Sequence, residues 1–94
     1  MKLYVLYRKN SEQERSVINF KEMMRRRYPD KDIEDVDLDT RDGAAKAATY
    51  GITKYPALLI TAVDGRVQGM WEGEPLPLID EVASYMLEQQ GATG

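Results

Sequence analysis

Neither cysteine nor histidine occurs anywhere in the 94-residue chain. Without cysteine there is no disulfide, no thiolate nucleophile and no redox-active thiol pair. Without either residue, the usual ligands for zinc and copper are gone. Carboxylates remain as ligands for calcium or magnesium, but no loop carries the Asp-x-Asp-x-Asp-Gly pattern with a distal Glu. Asp35, Asp37 and Asp39 alternate without the required glycine, in a run that reads as a strand. We therefore expect no metal site and no cofactor. Long hydrophobic runs are also missing: no stretch approaches the ~20 apolar residues of a membrane span. The opening Met1-Lys2-Leu3-Tyr4-Val5-Leu6-Tyr7 is too short and too quickly polar for a signal peptide. A cytoplasmic protein without a membrane partner is the expectation.

What is present is ordinary globular composition, 43% apolar and 31% charged, too apolar for a disordered chain. The length is that of one domain with one core. The net charge of −3 is unevenly spread: residues 1–31 carry +5, residues 32–63 carry −3 and residues 64–94 carry −5. Such polarity can steer a charged partner, but solvated helix faces explain it more simply. Lys21, Arg25, Arg26, Arg27 and Lys31 are the one basic cluster. Successive arginines on a helix point in different directions, and Glu22 and Asp30 dilute them, so nucleic acid is not expected as a partner.

Along the chain, residues 2–7 are apolar or aromatic on both alternating sets, as in a strand covered on both faces. Ser11-Glu12-Gln13-Glu14 fits a capping box, with the Ser11 hydroxyl accepting from the Glu14 amide and the Glu14 carboxylate reaching back to the Ser11 amide. Val17, Phe20, Met24 and Tyr28 then recur at helical spacing, and Pro29 ends the helix. Val36 and Leu38 alternate with acids in a second strand over residues 32–39. The alanine-rich segment 42–50 predicts a helix closed by Gly51. Residues 57–63 read as a buried strand, Asp64-Gly65 as a hairpin turn, and residues 66–71 as the returning strand. Gly73 and Pro75 open a last helix with Leu78, Ile79, Val82, Tyr85, Met86 and Leu87 as its apolar stripe. Residues 1–90 form the domain, and residues 91–94 form a disordered tail. The order is β-α-β-α-β-β-α, an α/β fold with a four-stranded mixed sheet and helices on both faces.

That order, with a proline just before the third strand, resembles the thioredoxin-like pattern. The likeness is sharpest at Tyr50-Gly51-Ile52-Thr53-Lys54-Tyr55-Pro56-Ala57-Leu58-Leu59-Ile60, where thioredoxins carry Tyr-Gly-Ile-x-x-x-Pro-Thr-Leu with a cis proline. Val36-Asp37-Leu38-Asp39, Asp64-Gly65-Arg66-Val67 and Trp71-Glu72-Gly73 resemble further stretches of that family in the same order, so the likeness spans residues 2–90. The departure falls on the chemistry. The family's Cys-x-x-Cys motif sits between the first strand and its helix, where this chain has Ser11-Glu12-Gln13-Glu14. Ser11 and Glu14 match the two cysteines. A serine hydroxyl is too weak an acid for a helix N-terminus to activate as it does a thiol, and neither side chain can form a disulfide. Thiol–disulfide exchange is therefore excluded by composition.

The resemblance leaves the family's substrate groove. It implies a redox-inactive module that binds a protein or peptide at Pro56. Tyr55 and Pro56 would form the pairing edge, Ser11 and Glu14 one wall, and Glu72 and Gly73 the other, with Trp71 as an aromatic anchor. Competing readings are that Tyr55 supports the turn and that Trp71 belongs to the core. The alternatives in function are a glutathione-binding or transferase-like enzyme using Ser11 or Tyr7 to orient a thiolate, and a KaiB-like regulatory adaptor, which shares the length, a Leu-Tyr-Val first strand and the lack of a cysteine pair. Ser11 as a hydrolytic nucleophile would need an adjacent base, and the chain has no histidine.

Overall fold

The structure, a computed structural model, describes residues 1–86 of the chain. Its elements run in order β1 (Lys2–Tyr7), α1 (Glu14–Arg27), β2 (Ile33–Asp37), α2 (Arg41–Thr49), β3 (Ala57–Thr61), β4 (Val67–Glu72) and α3 (Ile79–Ser84). The strands form one sheet in the order β2-β1-β3-β4. β1 pairs parallel with β2, which the α1 crossover permits, and antiparallel with β3; β3 and β4 form the antiparallel hairpin.

Alternation along the strands sends neighbouring residues to opposite faces, and the core accordingly divides in two. On one side Leu3, Val5, Tyr7, Leu58 and Ile60 meet Val17, Phe20 and Met24 of α1 and Ile79 and Val82 of α3. On the other side Leu6, Ala57 and Leu59 meet Val36, Leu38, Ala47 and Ile52, with Tyr4, Tyr50 and Tyr55 packed around them. Helices thus cover both faces: α1 and α3 together on one, α2 alone on the other.

Polar groups tie the elements at their ends. Lys21 is 8% exposed on α1, and its ammonium reaches Asp35 of β2 at 2.6 Å. The Tyr28 hydroxyl donates to Asp80 at 2.6 Å, joining the end of α1 to α3 and raising the phenol above its ordinary pKa. At the start of α2, Thr40 accepts from the Gly43 amide at 2.9 Å and donates to the Asp37 carbonyl at 2.7 Å. This is a side-chain N-cap, so Thr40→Ala should cost about 1 kcal/mol in a urea or guanidinium unfolding series.

Four local expectations are corrected. The second strand is Ile33–Asp37 rather than 32–39, because the Asp37 carboxylate and carbonyl turn back onto the amides of Asp39 and Thr40. The third strand stops at Thr61, since the Ala62 amide closes the hairpin on Arg66; Val63 is left 97% exposed. The last helix begins at Ile79, not at Gly73 or Pro75. Pro75 and Pro77 push the residues before them out of helical space, and Leu78 is still extended, with ψ of 146°. Leu78 and Tyr85 consequently stand exposed instead of completing the apolar stripe. Leu87 and the tail at 91–94 lie outside the described residues.

The capping box is the fourth. The Ser11 hydroxyl accepts from the Gln13 amide at 3.3 Å and donates to the Arg8 carbonyl at 2.6 Å, while the Glu14 carboxylate accepts from the Asn10 amide at 3.2 Å. Asn10 adopts a left-handed conformation with φ of 63°, which folds the 8–11 turn back on itself. Each box partner is thereby displaced, and Gln13 becomes the N-cap residue of α1.

Candidate functional site

The residues singled out from the sequence gather only in part. At one end of the sheet the chain enters β3 through a cis Tyr55–Pro56 bond. Pro56 is buried and its carbonyl accepts from the Gly73 amide at 2.9 Å. Gly73 has φ of +80°, a conformation open to glycine and costly to residues with a Cβ. One Glu72 carboxylate oxygen accepts from the amides of Thr53 and Lys54, at 3.0 and 3.3 Å. The Tyr55 hydroxyl donates back to the Ile52 carbonyl at 2.8 Å. Tyr55, Pro56, Glu72 and Gly73 are therefore one hydrogen-bonded corner, in which main-chain groups of 53–56 are held by the 72–73 turn.

Among the described residues no hydrogen bond joins Ser11 or Glu14 to that corner. Their hydrogen bonds run to the 8–13 turn, and they line a surface hollow with Arg15, Ile18 and Asn19 along α1. The side chain that crosses from α1 to the corner is Gln13. Its Nε2 donates to the Tyr55 carbonyl at 3.0 Å. Its Oε1 is buried and has no hydrogen-bond partner among the described residues. Beside it, the Ser16 hydroxyl donates to Glu74 at 3.0 Å, a second link between α1 and the loop after β4. A signal for Gln13 lay in the helix period: it stands four residues before Val17 and seven before Phe20, so the buried stripe extended backward arrives at Gln13.

Trp71 faces the other way. It pairs across the hairpin with Leu58 and packs on the α1/α3 side, edge-on to the Tyr85 ring at 5.0 Å. Its indole N–H reaches Glu81 at 3.4 Å. Tyr7 lies 3% exposed in the same core, with the Lys21 ammonium 5.6 Å from its ring centre, so its ring is packed under α1 rather than presented to a thiolate.

The chemistry available at the corner is hydrogen bonding by main chain and carboxamide, with the Ser16–Glu74 pair beside it. Among the described residues no group of three or more Asp or Glu side chains is arranged to hold a metal ion, and no helix is long and apolar enough to cross a membrane.

No protein-family model and no curated protein matches the chain. Solved structures do match in shape. Thioredoxin 1 from Thermosipho africanus superposes with a TM-score of 0.68 at 14% identity, covering 99% of this chain and 98% of its own. Thioredoxin O2 from Arabidopsis thaliana, in its oxidized state, gives the same TM-score at 15% identity over 90% of this chain and 70% of its own. A designed protein matches at 0.64 with 20% identity, over 99% of this chain and 76% of its own.

Proposed function

From a thioredoxin-like fold that carries no thiol, we propose that the chain is a redox-inactive binding module that takes an extended protein or peptide segment in the groove at Pro56. The observation that carries this reading is the state of the Tyr55 main chain. Tyr55 sits partly buried at the mouth of the corner, and its N–H donates to no group among the described residues. Main-chain hydrogen bonds from such a position supply affinity to any extended chain, while side-chain pockets nearby supply preference. The loop around it is held by Glu72 and Gly73, so little ordering is left to be lost on binding. Glu72 and Gly73 act here as supports of the groove.

The test is a titration of isotope-labelled protein, followed by amide shifts, with a random octapeptide mixture and separately with reduced glutathione. Peptides should move the Tyr55, Lys54 and Gly73 amides, and glutathione should move none of them. Shifts confined to Arg25–Arg27 on α1 would overturn the groove, and shifts at Tyr55 with glutathione alone would turn the reading toward a glutathione site. Insulin disulfide reduction should stay at background.

A further inference from the structure

We propose that Gln13 is a latch on the Pro56 groove: its carboxamide occupies the Tyr55 carbonyl and must swing away before an extended chain can pair there. The inference rests on the groove reading above and adds how that site is regulated. An antiparallel rung exchanges two hydrogen bonds, one from each main-chain N–H to the other carbonyl. At Tyr55 the two halves differ. The N–H is open, whereas the carbonyl is already taken by Gln13 Nε2 at 3.0 Å. The carboxamide donor therefore stands where the incoming chain's N–H would be.

The closed position is imperfect. Holding Nε2 on Tyr55 buries Oε1 without a partner, and an unsatisfied buried acceptor offsets much of what a single neutral hydrogen bond contributes. Swinging out returns both ends of the carboxamide to water. The move leaves α1 intact, because the Gln13 main chain is anchored separately: its carbonyl accepts from the Val17 amide at 3.2 Å, and its amide donates to Ser11 at 3.3 Å. The latch is thus a side-chain rotation on a fixed backbone. The occupant it admits is an extended peptide whose pairing residue has a free N–H, so proline is refused at that position.

The experiment pans a random octapeptide phage library on the full chain and on Gln13→Ala, then measures each recovered peptide on both proteins by fluorescence polarisation. Apparent affinity scales with the fraction of the binding-competent state. A latch open about a tenth to a third of the time predicts that Gln13→Ala binds each peptide ~3- to 10-fold tighter. Gln13→Glu, which keeps the reach but has no donor for the Tyr55 carbonyl, should behave the same way, and proline at the pairing residue should abolish binding to all three proteins. Equal affinities with peptide shifts at Tyr55 would overturn the latch and leave the groove standing. Weaker binding by the variants would make Gln13 a ligand contact, which also overturns it. Recovery of no peptide on any of the proteins overturns latch and groove together.

Discussion

Gly43→Ala should destabilise the fold by about 2–3 kcal/mol, even though alanine is the better helix former. Gly43 lies buried in the first turn of α2, against the end of β2. A Cβ there would run into the Asp37 carbonyl oxygen, with the carbonyl carbon at 2.7 Å and Thr40 Oγ1 at 3.0 Å. The obstacle is main chain, which cannot rotate aside as a side chain would. Relief requires α2 to lift from β2, and that displaces the Thr40 cap as well. Overpacking of this kind costs ~1–3 kcal/mol and occasionally more, while the propensity gain from glycine to alanine returns at most about 1 kcal/mol. Here the clash and the lost cap act together, so the loss dominates. In a domain this size each kcal/mol moves the melting temperature by roughly 4–8 °C, so a drop of more than 8 °C is the expected calorimetric result. A melting temperature unchanged or raised would show that α2 is free to lift from the strand.

Leu58→Ala should cost about 3 kcal/mol, within the ~2–5 kcal/mol range for emptying a leucine site in a core. Leu58 is fully buried on β3, between Val5 of β1 and Trp71 of β4, under α1 and α3. The strands on either side are pinned by ladder hydrogen bonds, so the sheet cannot close over the vacated volume. Against a total stability of ~5–15 kcal/mol for a domain, that is a large fraction, and it should appear as a lower urea midpoint with an unchanged slope. The cost should fall on the global transition, because Leu58 belongs to the buried cluster that joins the sheet to both helices of its face. A change in slope instead would mean that the α1/α3 side had loosened before the rest.

Most of the element order was legible because each segment carried a local signal of one kind. Pro29 stops α1, alanines make α2, Asp64-Gly65 makes the hairpin, and near-continuous apolar character marks β3. The last helix was misplaced where two signals conflicted. Gly73 and Pro75 read as a helix start, but Pro77 follows close behind and Leu78 is still extended, so the helix begins at Ile79. The site was legible at Tyr55, Pro56, Glu72 and Gly73, since their meeting follows from pairing β3 with β4. At Ser11 and Glu14 it is the hydrogen-bond partners that differ from the sequence reading. Their spacing fits a capping box in one dimension, while the left-handed Asn10 turns that loop and rotates Gln13 inward. Asparagine enters that conformation more readily than most residues, but its identity alone does not select it among the several it can adopt. The helix period can mark Gln13 as inward-facing, but its partner Tyr55 lies 42 residues away and leaves no local trace.

The sheet also behaves as a partition. Leu58 and Leu59 are chain neighbours, yet each belongs to a different cluster, and the two clusters share strands without sharing buried side chains. Substitutions on opposite sides are therefore expected to combine additively, while those on one side couple through shared contacts. Most α2-side positions can accordingly be repacked with the α1-side core left intact. Tyr55 is the exception, packing on the α2 side while its carbonyl is held by Gln13 from the α1 side.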